Sequence, residues 1–111
     1  KAKRINVKPN VRVVHESPST AVVDGDGAIG MIAATKSMQV AIEKAKTAGT
    51  GWVSTRGSNH YGIAGFYSMM ALEHEMIGIS TTNAAVLVVP TFGRDALYGT
   101  NPIALAVPAG E

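Results

Sequence analysis

The chain has 111 residues, 46% of them apolar and 16% charged, with no cysteine and a net charge of +2. That composition can build a core, and it excludes a disordered chain, a disulfide framework and a thiolate metal site. The longest apolar runs, such as Val86-Leu87-Val88-Val89, are too short to cross a bilayer and no apolar segment backs the basic start, so a soluble, cytoplasmic protein without membrane association is expected.

Five of the ten basic residues, Lys1, Lys3, Arg4, Lys8 and Arg12, crowd the first twelve positions. A nucleic-acid arm and a solvated end are the two readings of such a cluster. No aromatic residue is interleaved there, and from residue 13 onward five basic groups face eight acidic ones. No nucleic-acid role is expected. The chain starts at Lys and stops after Pro108-Ala109-Gly110-Glu111, which suggests an internal piece of a longer protein.

Val11–His15 and Thr20–Val23 are short β-branched stretches around Ser17-Pro18-Ser19, which predicts two strands joined as a hairpin. Asp24-Gly25-Asp26-Gly27 reads as a turn. Apolar residues at Met31, Ala34, Met38, Ala41, Ala45 and Ala48 follow helical spacing, predicting a helix over 30–48 that Gly49 and Gly51 stop. Trp52–Thr55 is the next strand and leads into the polar loop Gly57-Ser58-Asn59-His60. A second helix is predicted from Ile63 to Glu75, with His74 on its apolar stripe. Strands are expected at Ile77–Thr82, ending at Asn83, and at Ile103–Val107, entered through Gly99-Thr100-Asn101-Pro102. Val86–Val89 is too short to assign, and Gly93-Arg94-Asp95 is a turn. The alternation predicts a single layered α/β domain over 1–111 with a mixed sheet.

Gly25, Gly27 and Gly30 spell G-x-G-x-x-G between a strand and a helix, the context of a dinucleotide fingerprint. Two observations oppose it. Asp24 and Asp26 would place charge against a pyrophosphate, and the ribose-binding acid expected about 20 residues on is missing. The fold is therefore not expected to be a classical Rossmann fold.

Ser58-Asn59-His60-Tyr61-Gly62-Ile63-Ala64-Gly65 is the most informative segment. It joins a strand end to a helix start, where open α/β sheets place ligands. A histidine there suits general acid–base work, although most loop histidines are merely solvated or capping. Downstream, Asn83 and the Gly99-Thr100-Asn101-Pro102 turn offer short polar side chains, with Arg94 as an anion partner, or else satisfy local turn backbone. His15, His60 and His74 lack metal-ligand spacing, and no G-x-S-x-G elbow is present.

Gly51-Trp52-Val53-Ser54, Ser58-Asn59-His60-Tyr61-Gly62 with Ala64-Gly65, Gly78-Ile79-Ser80 to Asn83, and Gly99-Thr100-Asn101-Pro102 follow one another in this order. The order resembles the malate/L-lactate dehydrogenase family, which includes sulfolactate, ureidoglycolate and diketogulonate members. The resemblance covers essentially the whole chain. It implies a homodimeric oxidoreductase moving hydride between a 2-hydroxy acid and NAD or NADP, on a non-Rossmann mixed-sheet fold. It further implies His60 as a catalytic residue that takes up the hydroxyl proton. His60, Tyr61, Gly62, Ile63 and Ala64, with Asn83, would line the cofactor, and Thr100 with Asn101 would meet the substrate. Two departures stand out. Many members have Ser where this chain has Ala84, and the family's Ser-His-Gly motif and the cofactor segment beyond residue 111 lie outside this sequence. In members that use that other His as the acid, the resemblance makes His60 a cofactor contact. A non-catalytic binding or assembly domain keeping the same fold is the alternative function.

Overall fold

The computed structural model describes residues 4–110. The chain is α/β and divides after Ile63 into two compact units.

In the first unit, β1 (Arg12–Glu16) and β2 (Thr20–Ala28) form the predicted hairpin. Ser17 and Thr20 close it: their hydroxyls lie 2.7 Å apart, and the Ser17 amide donates to the Thr20 carbonyl at 2.9 Å. Helix α1 (Gly30–Ala48) then leads to β3 (Trp52–Ser58), which pairs parallel with β2. The sheet order β1-β2-β3 is thus mixed, one antiparallel and one parallel ladder. Gly49 ends α1 in the left-handed conformation, φ 78°, with its amide on the Ala45 carbonyl at 2.9 Å.

One expectation is corrected here. Asp24-Gly25-Asp26-Gly27 is not a turn but the second half of β2. The ladder to β3 is irregular between Asp24 and Ala28, and Asp26 and Gly27 there take φ 50° and 70°. An irregular strand uses the same residue types as a tight turn. Helix α1, where it was expected, buries a side made mostly of small residues. Gly30, Ala33, Ser37 and Ile42 are buried, whereas Met31 is exposed. The sheet side of α1 is made of small residues, so apolar periodicity points about one position away from it. Ser37 is accommodated there because its hydroxyl donates to the Ala33 carbonyl at 2.9 Å and lies 2.7 Å from the Thr55 hydroxyl.

In the second unit, α2 (Ala64–Met70) is followed by a single 3-10 turn, Leu72–His74, that Glu75 closes at φ 56°. Helix α2 is shorter than expected, and its buried residues are Ala64, Tyr67 and Ser68. His74 is exposed rather than part of that stripe. Strands β4 (Gly78–Thr81) and β5 (Ile103–Ala106) form an antiparallel ribbon with Ile79 opposite Leu105 and Thr81 opposite Ile103. Val88 makes an isolated bridge to Tyr98 between them.

Gly51 and Gly78 each lie at a strand start, against the backbone of the preceding helix. A Cβ on Gly51 would overlap Ala41, and one on Gly78 would overlap Ser68. These glycines let helix and strand backbones touch. Among the described residues, no helix is long and apolar enough to cross a membrane.

Candidate functional site

Strand β3 carries the chain past Arg56 to the Ser58–Gly62 loop, and three hydrogen bonds fix that loop on the end of β2 and the start of α1, with a fourth inside the loop. The Asn59 side-chain amide donates to the carbonyls of Gly27 and Ala28, at 3.0 and 2.9 Å. The Gly30 amide donates to the His60 carbonyl at 3.1 Å. The Gly62 amide donates to His60 Nδ1 at 3.1 Å. Gly30 permits the approach, because a Cβ there would overlap the Asn59 carbonyl oxygen and the His60 carbonyl group. The third glycine of the apparent fingerprint therefore serves a backbone contact, and its amide is already engaged. The His60 side chain remains exposed above an anchored backbone.

Asp24 and Asp26 hold the neighbouring strand ends. Asp24 accepts from the Asp26 amide at 3.0 Å and from Arg56 at 3.1 Å, with Arg12 at 3.9 Å. Asp26 accepts from the Asn6 side chain and the Asn10 amide, each at 3.0 Å. Both carboxylates thus make structural bonds within the unit, consistent with the rejection of a phosphate site there.

The Asp26 amide and, next, the Arg56 guanidinium hold the Asp24 carboxyl below the ordinary carboxylate range, against a smaller opposing effect of desolvation. A depressed carboxyl contributes stability that is complete above its unfolded value and is lost as pH falls through the folded one. The intact protein is accordingly expected to lose stability below about pH 4 more steeply than its Asp24→Asn variant. Urea midpoints across that range check this, and parallel curves would contradict it.

In the second unit the antiparallel ribbon brings Asn83 and the 99–102 turn to one end. The Thr82 amide donates to the Pro102 carbonyl at 3.3 Å, and Asn101 Oδ1 accepts from the Ala84 amide at 2.8 Å. Asn83 and Thr100 are both exposed at that end. Asn101, at φ 36°, uses its side-chain carbonyl on the Ala84 backbone. This tie between two loops could not be read from either loop alone. Asn101→Ala removes the bond and replaces Asn, which tolerates the left-handed region, by a residue that tolerates it poorly, so a loss of about 1–2 kcal/mol is expected. Asn101→Asp keeps the acceptor, and equal urea midpoints for the two variants would contradict this account. Arg94 stands exposed just after the turn that the Gly93 amide closes on the Pro90 carbonyl at 2.8 Å.

The family model described as malate/L-lactate dehydrogenase matches residues 1–111. The malate dehydrogenase of Pyrococcus horikoshii is 54% identical over 107 residues, which cover 96% of this chain and 30% of that protein. The L-sulfolactate dehydrogenase of Methanocaldococcus jannaschii is 50% identical over 102 residues, covering 92% of this chain and 30% of that one. Among solved structures, the Pyrococcus horikoshii malate dehydrogenase superposes with a TM-score of 0.88 at 52% identity, over 96% of this chain and 31% of its own. The Methanocaldococcus jannaschii sulfolactate dehydrogenase superposes with a TM-score of 0.86 at 49% identity, over 94% and 30%. This chain therefore spans about 30% of the length of these relatives.

Proposed function

The chain belongs to the malate/L-lactate dehydrogenase family, and on that premise we propose that the protein it forms part of moves hydride between a 2-hydroxy acid and NAD or NADP. Malate, lactate and sulfolactate are the substrate types in view. A homodimer is part of the same reading. The observation that carries it is the His60 loop, whose backbone is bound to the start of α1 while its side chain stays exposed.

The loop has space for a flat ring on one flank. A Cβ on Gly62 would meet only Met31 Cγ at 3.9 Å, so the loop leaves room on that flank. His60, Tyr61, Gly62, Ile63 and Ala64 would hold the nicotinamide end of the cofactor, with Asn83. When bound, the cofactor would supply the hydride chemistry. The chain's own groups do the rest. Asn59 and Gly30 hold the His60 backbone, the His60 ring meets the oxygen on C2, and Thr100 contacts the acid. Asn101 keeps the 84 and 99–102 loops together.

The test is a fluorescence titration of NADH and NADPH against the intact protein, followed by a panel of 2-oxo acids. Saturable binding of one nucleotide, with its oxidation by one acid, is expected and would identify both. Absence of binding by either nucleotide would overturn the reading in favour of a binding or assembly domain.

A further inference from the structure

A backbone carbonyl has two lone pairs, and that of Gly27 uses both. The Asn59 side-chain amide donates to it at 3.0 Å and the Asn6 backbone amide at 2.8 Å. The second donor belongs to residues 6–10, a segment ahead of β1 that lies in no helix or strand. Three further bonds fix it in place. Asn6 Nδ2 and the Asn10 amide each donate to one oxygen of Asp26 at 3.0 Å, and the Lys8 amide donates to Asn6 Oδ1 at 3.0 Å. A Cβ on Gly27 would lie 3.5 Å from Asn6 Cβ, so the segment rests against the end of β2.

The backbone held in this way is an unfavourable one. Asp26 and Gly27 take φ 50° and 70°, and the ladder to β3 is irregular between Asp24 and Ala28. Glycine adopts positive φ freely, whereas aspartate does so at a cost. The two donors on the Asp26 carboxylate offset that cost. The conformation they keep presents the Gly27 and Ala28 carbonyls to the Asn59 amide, which donates to both, and Asn59 directly precedes His60. A path of backbone and hydrogen bonds thus runs from Asn6 through Asp26, Gly27 and Asn59 to the loop whose His60 carbonyl meets Gly30.

We infer that Asn6 and Asp26 are positioning residues for the His60 loop, acting through the Gly27 and Ala28 carbonyls. Without the Asn6 side chain, Asp26 loses one of its two donors and its backbone relaxes away from positive φ. The two carbonyls then turn from Asn59, and the loop is left on α1 by the Gly30–His60 bond alone, so it opens more often. The consequence for the reaction rests on the dehydrogenase reading above. A looser loop holds the nicotinamide end of the cofactor less well, and nucleotide affinity falls.

The experiment is amide hydrogen exchange of the intact, ligand-free protein, comparing Gly30, whose amide is bonded to the loop, with the fully buried Val23 of β2. Asn6→Ala should speed exchange at Gly30 on the order of tenfold and leave Val23 within a few-fold of the parent, because a local opening does not unfold the strand. Asp26→Asn keeps an oxygen acceptor and tolerates positive φ, and it should exchange like the parent. In nucleotide affinity, Asn6→Ala and Asn59→Ala lie on one path and should be non-additive. Parent-like exchange at Gly30 in Asn6→Ala would overturn the inference. Equal acceleration at Gly30 and Val23 would do the same, since the segment would then add only global stability, as would additive losses of affinity. Local acceleration at Gly30 in a protein that binds neither NADH nor NADPH would instead overturn the dehydrogenase reading and leave the positioning of the loop standing.

Discussion

Gly30→Ala is expected to cost the intact protein about 3 kcal/mol and to lower kcat on the order of a hundredfold. The cause of both losses is one contact. The added Cβ falls on the Asn59 carbonyl oxygen and the His60 carbonyl group, which are backbone atoms that no rotamer change can move aside. Either α1 or the 58–62 loop must shift. Moving α1 disturbs a sheet side already closed by Ala33 and Ser37, both buried. Moving the loop breaks the Gly30–His60 bond and weakens the two that Asn59 makes. Displacement by an ångström is enough to spoil a reacting geometry, so the activity loss should exceed what instability alone explains. Urea unfolding and single-turnover rates measured on the same sample separate the two. A variant with parent-like stability and kcat would show that the loop and α1 do not meet this way in the intact protein.

Much of this arrangement was legible in the chain, and the remainder failed for identifiable reasons. Helix α1 was placed correctly because Gly49 marks its end and the apolar spacing marks its length. Its buried side does not show in the apolar spacing, because Gly30, Ala33 and Ser37 carry little or no apolar signal, yet small residues are what let a helix approach a sheet closely. The Asp24–Gly27 stretch reads as a turn in the sequence because irregular strand and turn draw on the same residues, and only pairing with β3 distinguishes them. The loop of His60 was recognisable as a strand end before a helix. Its anchoring was not, because the Gly30–His60 and Asn59–Gly27 contacts join positions about thirty residues apart, and no spacing rule reports those. The G-x-G-x-x-G pattern was rightly doubted, and Gly30 has a positive explanation: it is the place where the His60 backbone comes to rest.

His60→Ala should behave in the opposite way to Gly30→Ala, and the contrast tests the site more sharply than either variant alone. The anchoring of His60 lies in its backbone carbonyl, which the substitution leaves in place. Its side chain is exposed, and the bond from the Gly62 amide to its Nδ1 is exposed as well. Stability should therefore change by no more than about 0.5 kcal/mol, as for most surface substitutions. Activity should not be spared. A ring that meets the reacting oxygen contributes on the order of a hundredfold to ten-thousandfold to the chemical step, so kcat should fall by that amount. Nucleotide affinity separates the two roles that the loop position permits. A fall in kcat with the nucleotide dissociation constant within a few-fold of the parent's places His60 at the substrate oxygen. A loss confined to nucleotide affinity makes it a cofactor contact and moves the proton chemistry to a residue outside this segment. Retention of both would show that His60 serves neither role and that the chemistry lies with other residues.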